Sequence, residues 1–134
     1  MKLTLHNDIN EVPLLGEWIE QLGDSLGLDM TDVFQINLAL EEAVVNVMNY
    51  AYPGQEGKEI WLEANGDSKK VTFILSDEGR EFDPTKEEMP DVSLSAEERE
   101  IGGLGIFLVN QLMSSLNYER KDNKNILVMT WEKK

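Results

Sequence analysis

The sequence contains no cysteine among its 134 residues, so neither a disulfide nor a thiolate metal site can form. No apolar run reaches the length of about 18 residues that a membrane helix needs, and the opening "MKLTLHNDIN" lacks the apolar core of a signal peptide. Basic residues are scarce, with 12 Lys and Arg against 26 Asp and Glu and a formal net charge of −14. Nucleic acids and anionic membranes would repel such a chain. These absences favour a cytoplasmic protein whose acidity serves either solubility or a basic protein partner.

The apolar content is sufficient for a core, since 41% of the residues are hydrophobic, and the length fits one domain. "KLTLHN" alternates as a short strand, and a helix follows through Gly27. A second helix is expected from about Thr31, as its N-cap, to about Ala51. "KEIWLEANGDSKKVTFILSDEG" predicts two strands around "NGDS". A third helix to about Ser115 and a closing hairpin, "LNYERKDNKNILVMTWEKK", complete the pattern.

The second helix carries a polar stripe beside its apolar surface. At about 100° per residue, one side gathers an expected core face: Val33, Ile36, Leu40, Ala43, Val44 and Val47. Glu42 and Asn46 lie one turn apart on a flank of that face and point the same way. A carboxylate and a carboxamide beside buried surface need partners. Either they bond to each other and to nearby backbone, or their oxygens help to hold Mg²⁺, which takes few protein ligands and completes its shell with phosphates and water.

Two glycine-bearing motifs follow. Asp77 and Gly79 of "DEG" come directly off an apolar strand, where ligand-binding groups are common, although these residues also form ordinary turns. "GGLG" opens the third helix after a long polar segment, Arg80 to Glu100, without sustained periodicity. Three glycines in four positions indicate a backbone that turns sharply or lies very close to another group. The stretch is neither a dinucleotide fingerprint nor a P-loop, because it follows a loop rather than a strand and no "GK[ST]" occurs.

The order and spacing of "EEAVVN", "DEG" and "GGLGIFLV" resemble the N, G1 and G2 boxes of the GHKL ATP-binding superfamily, which includes gyrase, sensor histidine kinases and MutL. Within it the chain is most similar to the small, stand-alone anti-sigma-factor serine kinases of bacterial stress-response and sporulation switches. The resemblance covers nearly the whole chain. It implies an α+β two-layer sandwich of the Bergerat type, with a mixed, mainly antiparallel sheet covered on one face by about three helices. Residues 1–134 would form one such domain, with an ATP lid at about 84–101.

The resemblance also implies roles for matching residues. Asp77 would accept a hydrogen bond from the adenine amino group, and Gly79 would let the base approach the backbone. Asn46 would hold Mg²⁺ against the phosphates of ATP. Glu42 would act as general base on a serine or threonine hydroxyl, so that a base, a metal and phosphate donors form a minimal set for phosphoryl transfer.

The triphosphate would meet backbone N–H groups at the start of the third helix, from Gly102, Gly103, Leu104 and Gly105. Arg99, in the lid, is the candidate for a further phosphate contact. The closing strands depart from the family, which has a Gly-Thr pair where this chain reads Lys124, Asn125 and Ile126. Asn125 or Thr130 is expected to replace the missing threonine beside adenine.

The sequence therefore predicts an ATP-dependent protein serine/threonine kinase of the anti-sigma type. The resemblance implies a sigma factor or similar regulator as binding partner, an anti-anti-sigma protein of the STAS type as phosphorylation substrate, and a homodimer. A different class stays open, a nucleotide-gated binding module that transfers little phosphate. A metabolic ATPase fits less well, because no second domain is evident to hold a substrate.

Overall fold

Five strands form one sheet in which every neighbouring pair is antiparallel. The computed structural model describes residues 1–86 and 103–134, with side chains from residue 106 onward in the second range. The strands are β1 (Lys2–His6), β2 (Glu59–Gly66), β3 (Lys70–Asp77), β4 (Ser115–Lys121) and β5 (Lys124–Glu132). Their order across the sheet is β1-β2-β3-β5-β4. The mainly antiparallel sheet is thus confirmed, and within the described ranges it contains no parallel pair.

Three helices supply the second layer: α1 (Val12–Leu26), α2 (Met30–Asn46) and α3 (Gly103–Leu112). The strands alternate in burial, so that Val71, Phe73 and Leu75 of β3 join the helices in one core while their neighbours are half-buried. Trp18 of α1 meets Phe73 edge-on, with ring centroids 6.5 Å apart. The predicted α+β two-layer fold is therefore confirmed. No helix in the described part of the chain is long and apolar enough to cross a bilayer.

Helix α2 begins earlier than predicted. Its N-cap is Asp29 rather than Thr31, because the Asp29 carboxylate accepts from the Asp32 N–H at 2.9 Å and the Asp32 carboxylate accepts from the Asp29 N–H at 3.2 Å. Such a reciprocal capping box satisfies two backbone donors at once. Lys133, just past β5, adds an ion pair to Asp32 at 2.6 Å, so the end of the chain is fastened to the start of this helix.

The third helix ends earlier than predicted, at Leu112 rather than near Ser115. The backbone N–H of Ser114 donates to the Thr130 carbonyl oxygen at 2.7 Å, and its hydroxyl donates to the same oxygen at 2.9 Å. The chain has thereby entered the sheet, and Ser115 is the first residue of β4.

The end of α2 widens into a π-helical turn, Val47–Ala51, in which the Tyr52 N–H donates to the Val47 carbonyl oxygen at 3.0 Å. Helical structure thus runs to Ala51 as predicted, but its last turn is wider than an α-helical one. Single wide turns of this kind are frequent at functional sites, and this one directly follows Asn46.

Candidate functional site

A cavity lies between the end of α2, the sheet and α3. Its walls come from six parts of the fold: Ala43, Asn46, Val47, Leu75, Asp77, Phe82, Pro84, Ile106, Tyr118, Asn125 and Leu127. Asn46 and Asp77, which belong to two different sequence motifs, therefore face one space. Ile106 of α3 brings the helix opened by the third motif to the same wall.

Asp77 is the buried acid of this cavity, with 2% of its surface exposed. Its Oδ1 accepts from the backbone N–H of Gly79 at 2.8 Å and from Nδ2 of Asn125 at 2.9 Å. Burial raises the pKa of Asp77, while these two hydrogen bonds and the charge of Arg120 oppose that rise. Among the described residues both hydrogen bonds use Oδ1, so Oδ2 is the oxygen that a ligand would meet.

Asn125 connects Asp77 to three other parts of the site. Its Oδ1 accepts from the Tyr118 hydroxyl at 2.5 Å and from the Phe82 N–H at 3.1 Å. Its Nδ2 also donates to the Arg80 carbonyl oxygen at 2.8 Å. One buried carboxamide thus fixes the acid, the turn after it and the neighbouring strand.

Thr130, the other expected replacement for the threonine, lies elsewhere. Asn125 belongs to the buried row of β5, whereas Thr130 lies on the opposite, open face and pairs with Thr72 and Ser115. Five positions along a strand also separate the two. The structure brings Asn125 to Asp77 and leaves Thr130 away from the cavity.

Gly79 lies against the wide turn that follows α2. A Cβ atom at this position would be 2.4 Å from the Ala51 carbonyl oxygen, and that oxygen accepts from the Arg80 N–H at 3.0 Å. Arg120 donates from a terminal guanidinium nitrogen to the Gly79 carbonyl oxygen at 2.7 Å. Only glycine permits this close backbone approach without displacing the turn.

Asn46 and Glu42 do not bond to each other. Asn46 is 4% exposed, and its carboxamide has no hydrogen bond to another residue that the structure describes. Glu42 is half-buried one turn before it and does not line the cavity. Within residues 1–86 and 103–134, no three acidic or histidine side chains cluster to hold a metal ion, so a cation here would need ligand oxygens from elsewhere.

The cavity is nearly closed. About 20 Å³ remains between its walls, which is room for a water molecule and not for a purine. Phe82 and Pro84 form part of the wall, and the Phe82 ring stacks on Tyr50 at 5.1 Å. A purine would therefore fit only if part of this wall, for example the segment that carries Phe82, moved outward.

Several predicted residues cannot be placed. Arg99, Gly102 and most of the expected lid lie outside the described residues, and of the lid only the turn Pro84–Lys86 is seen. The backbone of Gly103, Leu104 and Gly105 forms the first turn of α3. These three residues therefore occupy the helix start that the sequence predicted for them.

Sequence reasoning missed Tyr118 and Arg120. Both lie on the inward row of β4, where Arg120 pairs with Asn125 and Tyr118 with Leu127. The signal was present in the hairpin: counting outward from a two-residue turn at "DN" pairs these positions across the strands. An inward-facing arginine beside the "DEG" turn would then have been expected.

Comparisons with known proteins identify relatives that match most of the chain. A family model described as the histidine kinase-like ATPase domain matches residues 5–131. The serine/threonine-protein kinase BtrW of Bordetella bronchiseptica is 29% identical over 97 residues, covering 72% of this chain and 68% of the relative. The serine-protein kinase RsbW of Halalkalibacterium halodurans is 30% identical over 116 residues, covering 84% of this chain and 70% of the relative.

A solved structure shares the fold. It contains the RsbU and RsbW domains of Rv1364c from Mycobacterium tuberculosis and superposes with a TM-score of 0.69 at 16% identity, covering 98% of this chain. This chain spans 31% of that longer one. The match over almost all of the sequence confirms the family predicted from the three motifs, and the chain belongs to the histidine kinase-like ATPase domain family.

Proposed function

We propose that this protein is an ATP-dependent protein serine/threonine kinase of the anti-sigma-factor type. It acts in the cytoplasm as a homodimer, binds a sigma factor or related regulator, and phosphorylates an anti-anti-sigma protein of the STAS type. The observation that carries the proposal is the meeting of Asn46, Asp77 and α3 around one cavity. The names of the relatives, which are serine or serine/threonine kinases, support the same activity.

Adenine recognition follows from the chemistry of Asp77. Its Oδ1 is held by Gly79 and Asn125, so Oδ2 is left to accept a hydrogen bond from the exocyclic amino group of adenine. Guanine carries a carbonyl oxygen at that position, which would face the carboxylate and be repelled. The site therefore selects ATP over GTP.

The phosphates are bound farther along α2 and at the start of α3. The buried Asn46 carboxamide has an oxygen suited to Mg²⁺ and no described side chain that competes for it. Magnesium would supply charge neutralisation for the triphosphate in a protein whose formal charge is −14. Backbone N–H groups of residues 103–105, at the positive end of α3, would bind the phosphates. Contacts from Gly102 and Arg99, which lie outside the described residues, remain part of the proposal.

Phosphoryl transfer uses Glu42. The oxygen of the substrate hydroxyl forms a bond to the γ-phosphorus, the bond from that phosphorus to the ADP oxygen breaks, and the hydroxyl proton passes to the Glu42 carboxylate. Glu42 lies one helical turn from Asn46, so base and metal ligand share one rigid helix. Its position outside the closed cavity leaves it accessible to a protein substrate.

Calorimetric titration tests the nucleotide site. We expect ATP to bind with Mg²⁺, to bind poorly without it, and to be preferred over GTP, and we expect Asn46→Ala to weaken binding. Asn110→Ala is a matched control. Asn110 lies on α3, donates a hydrogen bond to the Ile106 carbonyl oxygen and does not line the cavity. Absence of ATP binding by the folded wild-type protein under all conditions would contradict the proposal.

A nucleotide-gated binding module is the second candidate. The nearly closed cavity favours it, because ATP entry would have to displace the Phe82 segment and could thereby control partner affinity without transfer of phosphate. The two functions differ in whether a partner protein acquires phosphate from ATP.

A further inference from the structure

The first two helices of this protein contain acidic residues and no basic ones. Between Lys2 and Lys58 the chain has no Lys or Arg, yet it has ten Asp and Glu. That stretch contains the whole of α1 and α2. The cation that reaches these helices in the described structure is Lys133, which bonds Asp29 and Asp32 at the start of α2. The outer surface of the helical layer is therefore strongly negative.

A groove runs along this surface between α1 and α2. The two helices approach closely because Gly23 faces Val33, where a Cβ would lie 2.6 Å from a Val33 methyl group. The groove is lined on one side by Glu20 and Asp24 of α1, both exposed. Its shape is thus set by the helix packing rather than by a loop.

The other side of the groove is apolar and uncovered. Met30 is 89% exposed and Phe34 is 63% exposed, and both line the groove. Among the described residues they are the two most exposed large apolar side chains. Exposed apolar side chains beside carboxylates can bind a segment that is both apolar and positively charged, because each kind of group in the groove has a complementary partner.

We propose that the α1–α2 groove docks a basic, amphipathic segment of a partner protein. Apolar side chains of that segment cover Met30 and Phe34, and its Lys or Arg side chains pair with Glu20 and Asp24. A second copy of this groove would bring carboxylates against carboxylates, so self-association through it is disfavoured. Nucleic acid and anionic lipid are repelled by the same charges.

The groove is separate from the cavity that binds nucleotide in our proposed function. Phe34 and Asn46 are 12 positions apart on one helix, a rise of about 18 Å. The groove and the cavity share no lining residue, so peptide docking can be tested without nucleotide and independently of the kinase assignment.

The probe is a synthetic amphipathic helix of Leu and Lys, compared with a scrambled peptide of the same composition. Amide chemical shifts of the isotopically labelled protein locate the bound peptide, and fluorescence anisotropy measures its affinity. We expect shifts within residues 16–37, tighter binding of the amphipathic peptide than of the scrambled one, and a loss of about tenfold with Phe34→Ser. Ile9→Ser is the apolar control, because Ile9 is 62% exposed outside the groove.

Charge is tested with a matched pair of double variants. Glu20→Gln with Asp24→Asn removes two carboxylates from the groove, whereas Glu119→Gln with Glu132→Gln removes two exposed ones from β4 and β5. The first double variant should bind the peptide more weakly and with less salt dependence. The second should change the affinity for the peptide by less than about twofold. Circular dichroism verifies that each double variant is folded. If a double variant does not fold, its two single variants are tested instead.

Two results would overturn the proposal. Equal weakening by both double variants, or shifts centred on the open face of the sheet, would mean that net charge alone attracts the peptide. A dimer that becomes monomeric with Phe34→Ser, measured by sedimentation, would mean that the groove joins two copies of this chain.

Discussion

Asn125 donates a hydrogen bond from Nδ2 to Oδ1 of Asp77 at 2.9 Å, across the two central strands of the sheet. The register places these residues directly opposite each other, so the contact is built into strand pairing. Because the same oxygen accepts from Gly79, the carboxylate is held in one orientation before any ligand arrives.

Asn125→Ala tests this orientation. It leaves the Phe82 N–H and the Tyr118 hydroxyl without this acceptor and the Asp77 carboxylate with the Gly79 N–H alone, so we expect a loss of about 1–3 kcal/mol in the free energy of unfolding. We also expect about tenfold weaker ATP binding, since Asp77 can then rotate. Urea unfolding and calorimetry measure both. Tyr118→Phe, which keeps the contact of Asn125 with Asp77, should affect ATP binding less; equal ATP affinity in wild type and Asn125→Ala would contradict the role.

Asp77→Asn separates stability from ligand recognition. The new carboxamide oxygen can still accept both hydrogen bonds, but its NH₂ group opposes the amino group of adenine, so ATP affinity should fall about 10- to 100-fold. Burial raises the pKa of Asp77 above its usual 3.8, which means that the folded protein holds the proton more tightly than the unfolded chain.

The raised pKa of Asp77 fixes the direction in which the stability of the wild-type protein changes with pH. The contribution of Asp77 to stability is complete below pH 3.8 and is lost as the pH rises through the raised pKa. At neutral pH the variant should therefore be at least as stable as the wild type, and this part of the pH dependence should disappear. Thermal melts between pH 3 and pH 8 measure it; a variant less stable at neutral pH, with unchanged pH dependence, would be inconsistent with a buried ionised Asp77.

The sequence identified the fold, and it predicted residues from separate motifs that the structure brings to one cavity, because each motif had a local signature. The apolar periodicity of α2 and the residues of "DEG" and "GGLG" were sufficient to place Asn46 and Asp77. The missed contacts are long-range: Tyr118 and Arg120 reach the site through the hairpin register. The N-cap error, by contrast, had a local signal that was overlooked, because Asp29 and Asp32 lie three residues apart and form the capping box themselves.

Glu42→Gln tests the chemistry. Removing the base should lower phosphoryl transfer to a partner protein by about 10²- to 10⁴-fold, while ATP affinity stays within about twofold because the side chain lies outside the cavity. Transfer of labelled γ-phosphate measures the first and calorimetry the second. Glu41→Gln is the matched control on the neighbouring residue, which is half-buried like Glu42. Transfer that survives in Glu42→Gln would show that the base is another residue.

Gly79→Ala tests the close approach of the two backbones. The added Cβ would lie 2.4 Å from the Ala51 carbonyl oxygen, and since backbone cannot move aside cheaply we expect a loss of about 1–3 kcal/mol. Gly16→Ala, within α1, is the comparison, because its Cβ would make an ordinary contact with the side-chain oxygen of Asn37 at 3.7 Å. That change should be neutral or stabilising by up to about 1 kcal/mol. Denaturant unfolding distinguishes them, and equal stabilities would contradict the packing argument.

Phe82→Ala tests the closed cavity. About 20 Å³ is free, so a base needs more room; if the Phe82 ring is the part of the wall that must give way, its truncation should speed ATP association. Stopped-flow mixing with a fluorescent ATP analogue measures the rate. Phe107→Ala is a control on the half-buried side of α3. An association rate that Phe82→Ala does not change would indicate that the wall does not limit entry.

The turn between β4 and β5 has a consequence for how this site could evolve. Asp122 and Asn123 have positive φ values of 53° and 63°, which close the hairpin with two residues and pair Arg120 with Asn125. Because neighbouring strand positions face opposite sides of a sheet, one inserted residue that shifted the β4–β5 pairing would turn Tyr118 and Arg120 outward. Asn125 and Gly79 would then lose their contacts with these two side chains, so a change in loop length at the molecular surface can loosen the candidate site with every residue of its cavity retained.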